Sequence, residues 1–210
     1  MSSLKVNQIK TKLRSMFEAH LDLADISAHD LERESKVLSR CLAAFAIYLR
    51  AGCSEKDAAA AVWDGSDDNG IDGAYFDTGD SRVLFVQAKW ISKGAGEPEA
   101  KEIGTFIKGV RDAIEQDQTG FHARLQARLH DVLLRLGMPG TFVQLIVVST
   151  GESVLAKHGR AVIDSFLHEL NGNDPEPIAT AEVMGISEVY SGLANDPLQG
   201  NLTLEANILE

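Results

Sequence analysis

A predicted pair of neighbouring strands places the strongest constraint on the fold of this chain. The segments 71–76 and 82–90 are enriched in β-branched and aromatic residues, and a turn containing Gly79 and Asp80 separates them. Two such segments joined by a short glycine-containing turn are typical of a β-hairpin. We therefore expect two adjacent strands from this region.

Three polar side chains interrupt these otherwise apolar strands. Asp72 is the acidic residue of the first strand, and the second strand ends in Gln87, Ala88 and Lys89. Because successive side chains of a strand point to opposite faces, Gln87 and Lys89 share one face. A carboxylate, an amide oxygen and an ammonium on neighbouring strands can hold a divalent cation beside a charge-neutralising lysine, as phosphodiester hydrolysis requires. The alternatives are an acidic turn residue at Asp72 and a strand end at which Gln87 and Lys89 simply reach water.

The segments around these strands predict further helices and strands. Apolar residues recur at helical spacing in several places, whereas the segment 141–149 is almost continuously apolar, which is typical of a strand covered on both faces. This order predicts a three-layer α/β domain with a central mixed sheet, preceded by an N-terminal helical segment. We expect helices over residues 4–23, 30–50, 54–61, 99–116, 121–136 and 153–170, and strands over 71–76, 82–90, 141–149 and 178–183.

Composition and charge restrict the class of protein. The chain has 210 residues, of which 44% are hydrophobic and 24% are charged, and this suits one globular domain. The net charge of −11 gives no broad basic field, so contact with nucleic acid would depend on a local patch, a metal ion or another chain. The sequence has no signal peptide or membrane-spanning segment, so we expect a cytoplasmic location. Cys41 and Cys53 lack metal-ligand or redox spacing and are expected to be reduced, packed thiols.

The polar segments also resemble a known family of nucleases. The sequences DNGIDG at 68–73 and VQAKW at 86–90 are similar to the motifs of the PD-(D/E)xK nuclease superfamily, in the Mrr-like branch in which glutamine replaces the middle acidic residue. They are still more similar to the abortive phage infection proteins of the AIPR family. The resemblance covers residues 31–114, extends more weakly to 143–149, and implies a restriction-endonuclease-like α/β/α fold. We expect the chain to divide into an N-terminal helical segment (1–29), a nuclease domain (30–190) and the start of a further element or domain (191–210).

By this resemblance, the chain is a metal-dependent endonuclease that hydrolyses phosphodiester bonds. Asp72 would be the central metal ligand, Gln87 would take the second ligand position, and Lys89 would orient the attacking water or offset charge in the transition state. The cofactor would be Mg²⁺ or Mn²⁺, and the substrate would be nucleic acid, DNA in preference to RNA, in prokaryotic defence against phage. Since an amide binds a hard cation less strongly than a carboxylate, the Ala88 carbonyl or another acid would complete the metal site.

The resemblance also implies an acidic residue from the helix that precedes the strands. Glu34 shares a helical row with Leu38 and Cys41, whereas Glu32 falls on the polar side of the predicted helix. Glu34 is therefore the candidate for this catalytic and metal-binding position. The alternative is an exposed first-turn glutamate that interacts favourably with the helix dipole.

Three further acidic residues lie shortly before the strands. Asp64 and Asp67 belong to a segment with turn composition, which favours a role in the turn itself. Asp68 is a candidate outer ligand, because the resembling family carries an acid at the matching position.

Two other functions remain open from the sequence. With Gln87 in place of an acid and a net acidic surface, the same fold could serve as a catalytically degenerate module that docks nucleic acid or protein. The other is homodimerisation through the two helices before Ser54, because the apolar stripe of residues 4–23 is not needed by the nuclease motif.

Overall fold

A four-stranded mixed sheet forms the centre of the protein. The computed structural model describes residues 3–63 and 68–195, apart from the side chains at 123, 124, 127 and 128. The strands lie side by side in chain order, as β1 (Gly73–Asp77), β2 (Arg82–Lys89), β3 (Phe142–Ser149) and β4 (Ala179–Met184). β1 is antiparallel to β2, whereas β2, β3 and β4 run parallel to one another. The predicted hairpin and mixed sheet are confirmed.

Seven α-helices accompany the sheet within the described residues. They are α1 (Ser3–Phe17), α2 (Arg33–Ala51), α3 (Glu55–Ala60), α4 (Ala100–Ile114), α5 (Ala123–Leu136), α6 (Lys157–Asn171) and α7 (Ile186–Ala194). Ser54 caps α3 by accepting a hydrogen bond from the amide of Asp57 at 3.1 Å, and Gly52 ends α2 in the left-handed conformation. In the part of the chain that the structure describes, no helix has the length and apolar character needed to cross a membrane.

Helices cover both faces of the sheet, because alternate residues of the central strands enter two separate apolar cores. On β2, Val86 packs into the core shared with α1, α2, α3 and α7. Its neighbour Phe85 packs into the second core, which α4, α5 and α6 complete. By the same alternation, Gln87 and Lys89 lie on the α4 side of β2.

The predicted elements are confirmed, with three differences beyond small shifts of their ends. The first helix ends at Phe17 and not at residue 23, because the chain tightens into a 3₁₀ turn and then extends at Leu21. The helix predicted from residue 153 begins at Lys157, because Ala156 before it has a non-helical ψ of 154°. The last helix, α7, was not predicted.

The N-terminal helix packs into the first core. Its residues Val6, Ile9 and Leu13 are buried and pack with apolar residues of α2 and α7. The apolar stripe that predicted a homodimer interface is therefore used within the chain, and dimerisation through this stripe has no support. At the other end, α7 crosses the predicted boundary at residue 190, and residues 196–210 lie outside the described part of the chain.

The loop before β1 is fixed against the backbone of α4. Asn69 has a φ of 55° and donates from its Nδ2 to the Oδ2 of Asp112 at 2.7 Å. Gly109 of α4 lies so close to this loop that a Cβ there would be 2.1 Å from the carbonyl oxygen of Asn69. On the loop itself, Gly70 has a φ of 77°, and a Cβ there would be 2.8 Å from the amide nitrogen of Phe106. Two glycines therefore allow the loop and the helix to come into contact.

Replacing Gly109 with alanine should destabilise the protein, because the new methyl group would overlap the Asn69 carbonyl and force the loop away from α4. We expect the free energy of unfolding to fall by about 1–3 kcal/mol, the usual cost of overpacking. Gly104 of the same helix is the matched control, since a Cβ there would have nothing within 4 Å. Gly104→Ala should raise the free energy of unfolding by about 0.5–1 kcal/mol through its better helix propensity. Urea unfolding measures both values, and equal effects of the two substitutions would contradict the proposed contact.

Candidate active site

The backbone of Asp72 is held on both sides. Its amide donates to the carbonyl of Val86 at 2.9 Å, and its carbonyl accepts from the amide of Trp63 at 2.6 Å. The residue is buried, with 7% of its surface exposed, and it directly precedes β1. These contacts fix Asp72 between β2 and the segment that follows α3.

The Asp72 carboxylate completes the hydrogen bonding at the end of β2. Its Oδ2 accepts from the amide of Ala88 at 2.6 Å and from the Nε2 of Gln87 at 2.9 Å. The pairing of β1 with β2 ends at Gly73 and Val86, so beyond that point a side chain accepts the Ala88 amide in place of a backbone carbonyl. The structure therefore brings Asp72, Gln87 and Ala88 into contact.

Lys89 forms an ion pair with Glu102, on the same side of β2 as Gln87. Its Nζ donates to the Oε1 of Glu102, and its side chain is 45% exposed. This hydrogen bond raises the pKa of Lys89 against the opposing effect of burial, and the charges of Glu102, Glu99 and Asp72 act in the same direction as the bond. The lysine is therefore a fixed cation at neutral pH and cannot accept a proton there.

Glu102 is a site residue that the sequence did not reveal. It lies in the first turn of α4, and its Oε2 accepts from the amide of Glu99 at 3.0 Å. The spacing of Glu99 and Glu102 at the start of a predicted helix is a signal for this capping contact. Nothing in the sequence indicates Lys89 as the second partner, because that contact depends on how α4 packs against the sheet.

The structure does not bring Glu34 into this group. Its side chain is 62% exposed, and its carboxylate is bound by Lys10 of α1, with Arg14 of the same helix 4.0 Å away. Moreover, α2 packs on the face of β2 opposite to Gln87 and Lys89. The catalytic and metal-binding role expected of Glu34 finds no support in this geometry, because its carboxylate is paired with α1 and not with the groups at the end of β2.

The acidic residues that precede the strand have a turn role where the structure describes them. The Oδ1 of Asp68 accepts from the amide of Gly70 at 2.7 Å, which is typical of an Asx turn. Asp64 and Asp67, for which a turn role was also predicted, lie outside the described residues.

The loop that follows Lys89 is anchored to the end of β3. The Oγ1 of Thr150 accepts from the amide of Ile91 at 2.7 Å and donates to the carbonyl of the same residue at 3.0 Å. Further along the loop, the carbonyl of Gly96 accepts from the amide of Glu152 at 2.7 Å. These bonds hold the loop between β2 and α4 without any contribution from the side chain of Lys89.

The oxygen atoms around Asp72 fit the requirements of one class of metal ion. Within residues 3–63 and 68–195, no group of three or more His, Cys, Asp or Glu side chains is placed to hold a metal. The site offers one buried carboxylate, the amide side chain of Gln87 and the backbone carbonyl of Ala88. Mg²⁺ commonly binds proteins through one or two carboxylates and keeps several of its waters. These donors therefore fit a Mg²⁺ ion that keeps several water ligands. They do not fit an ion whose ligands all come from the protein.

This chain matches no family model, no curated protein and no solved structure. Its membership of the PD-(D/E)xK superfamily and of the AIPR family therefore stays a prediction from the motif sequences. The geometry around Asp72 and Lys89 is the independent basis for a functional proposal.

The contact between Asp72 and Gln87 predicts how an acidic residue at position 87 would behave. Gln87→Glu would place a second carboxylate against the Oδ2 of Asp72, and like charges at hydrogen-bond distance repel each other. We expect the Tm in EDTA to fall by about 2–4 °C, which corresponds to roughly 1 kcal/mol in a domain of this size. Millimolar Mg²⁺ should restore the Tm, because a cation bound between the two carboxylates stabilises the folded state.

Gln8→Glu is the matched control, since it adds the same charge on the exposed side of α1. Its Tm should change little and should not respond to Mg²⁺. Differential scanning calorimetry of both variants, with Mg²⁺ and with EDTA, makes the comparison. A Gln87→Glu protein whose Tm is the same in Mg²⁺ and in EDTA would argue against a cation site at Asp72.

Proposed function

We propose that the protein is a metal-dependent endonuclease with a PD-(D/E)xK-type active site and a three-layer, restriction-endonuclease-like fold. The observation that carries the proposal is the contact of Asp72 with Gln87 at 2.9 Å, with Lys89 following on the same face of the strand. This is the arrangement that the motif requires of its carboxylate, second ligand and lysine. Helices on both faces of a mixed sheet are compatible with the proposed three layers.

The Asp72 carboxylate, the Gln87 amide oxygen and the Ala88 carbonyl are the groups that would hold Mg²⁺ or Mn²⁺. When bound, such an ion polarises the scissile phosphate and lowers the pKa of its bound water. Gln87 directs its Nε2 toward Asp72, and a half-turn of the terminal amide exchanges the nitrogen and oxygen positions. The side chain can therefore change from a donor to Asp72 into a metal ligand without moving its stem.

Lys89 would neutralise the charge that develops on the phosphate in the transition state. Its ammonium stays protonated at neutral pH, because the hydrogen bond to Glu102 raises its pKa. One of its three N–H donors is used by Glu102, which leaves two for the substrate. We therefore assign it an electrostatic role and not that of a general base.

We propose DNA as the substrate, in preference to RNA, and a role in prokaryotic defence against phage, both from the resemblance of the motifs. The net charge of −11 opposes broad binding to a polyanion. Local positive charge must therefore hold the substrate, from the metal ion and from Lys89. Cleavage should for this reason depend steeply on the divalent cation.

A second candidate is a catalytically degenerate docking module with the same fold. Gln87 donates to Asp72 and Lys89 is paired with Glu102, so these polar groups satisfy one another without a cation or a substrate. Calorimetric titration with Mg²⁺ and Mn²⁺ separates the two functions. Uptake at millimolar concentration supports the nuclease, whereas binding of nucleic acid or protein without metal uptake supports the docking module.

The nuclease proposal predicts that Asp72→Asn and Lys89→Ala lose cleavage without unfolding. Asparagine keeps an oxygen that can accept the Ala88 amide, and Lys89 is half-exposed, so both variants should retain the fold. We expect each to lower the cleavage rate by about 100-fold or more, the usual effect of removing one group that stabilises charge in a transition state. The assay uses labelled single- and double-stranded DNA and RNA with Mg²⁺, Mn²⁺ or EDTA.

Exposed residues of α6 and α3 supply the controls for these variants. Asp164→Asn on α6 and Lys56→Ala on α3 make the same chemical changes on exposed side chains, and they should cleave like the wild type. EDTA should abolish cleavage by all the proteins that cleave. Full activity of both Asp72→Asn and Lys89→Ala would refute the assignment of the site.

A further inference from the structure

The carboxylate of Glu102 joins the end of β2 to the start of α4. Its Oε2 accepts from the backbone amide of Glu99 at 3.0 Å, and its Oε1 accepts from the Nζ of Lys89. Glu102 is itself restrained, because its side chain caps the helix that carries it. Lys89 is therefore paired with a carboxylate whose own position is set by the backbone of α4.

We propose that Glu102 is a positioning residue for Lys89, which holds the ammonium on the Gln87 side of β2, where the phosphate of a substrate would approach. The proposal rests on the nuclease function proposed above. A lysine side chain has four rotatable bonds and loses rotamer entropy when it is fixed. Glu102 fixes it before the substrate binds, and this preorganisation lowers the barrier of the step in which charge develops.

The ion pair is poorly suited to a purely structural role. The side chains of Lys89 and Glu102 are 45% and 28% exposed, and ion pairs with this much solvent contact add little to stability. The loop between them is held separately, by the bonds of Thr150 to Ile91 and of Glu152 to Gly96. Loss of the pair should therefore leave the loop and the fold intact while it releases the lysine.

Glu102→Gln tests this role, because glutamine has nearly the same shape and keeps an oxygen for the helix cap but loses the charge that binds Lys89. We expect kcat to fall by about 10- to 100-fold with little change in KM, the effect of losing a group that orients a reacting one. Glu99→Gln is the matched control. It removes the same charge at the N-cap residue of α4, and Glu99 acts on Lys89 through its charge and not through a hydrogen bond.

The mobility of the Lys89 side chain provides a readout that does not depend on cleavage. In the wild type the ammonium is bound by Glu102, so Glu102→Gln should make the side chain more mobile. NMR order parameters of the Lys89 Cε follow this directly. The mobility of Lys89 should change less in Glu99→Gln.

The outcomes separate the two proposals. A wild type that cleaves, together with a Glu102→Gln variant that matches it in kcat and in the mobility of the Lys89 side chain, overturns the positioning role and leaves the nuclease intact. A wild type that cleaves no nucleic acid refutes the nuclease, and a more mobile Lys89 side chain in Glu102→Gln then still supports the restraint of the lysine by Glu102. Equal losses of kcat in Glu102→Gln and Glu99→Gln would overturn the specific pairing, since a general charge effect would explain both.

Discussion

The hydrogen bond from the Ala88 amide to the Asp72 carboxylate is the contact on which the rest of the site depends. It forms where β1 stops pairing with β2, and without it a backbone donor of a central strand would lose its partner. An unpaired buried donor costs about 1–3 kcal/mol. The same carboxylate therefore completes the sheet and presents a negative charge at its edge, so structure and chemistry are joined in one side chain.

This dual use explains why the polar groups of the site are arranged as they are. Gln87 binds the same carboxylate oxygen as the Ala88 amide, so its position is tied to that of Asp72. Lys89 follows two residues later and is tied to α4 instead. The site thus has two parts with different direct partners, a carboxylate with an amide on the β1 side and an ammonium with a carboxylate on the α4 side. Between them they bring opposite charges near the end of β2 in a protein whose overall charge is strongly negative.

Local sequence patterns predict much of this fold and part of this site. The apolar strands and the Gly79–Asp80 turn identify the hairpin, and strand alternation identifies Gln87 and Lys89 as residues of one face. Helical periodicity finds the buried row of α2 but does not say which neighbour that row meets. For this reason Glu34 was expected at the metal, although its carboxylate contacts Lys10 of α1.

For Glu102, the sequence predicts the helix but not the contact that makes it a site residue. It lies in a helix that was predicted correctly, yet its contact with Lys89 depends on how α4 packs against the sheet. Periodicity carries no information about that packing, and the contact joins residues thirteen positions apart across a loop.

The contact of Gly109 with the loop before β1 connects the two parts of the site through α4. Gly109 and Glu102 are seven residues apart on α4, which is about 10 Å along a single rigid rod. Gly109 contacts the loop that leads into Asp72, and Glu102 binds Lys89. The distance between these two contacts is therefore set by the rise of one helix. A tilt of α4 would displace the loop before Asp72 and the ammonium of Lys89 together.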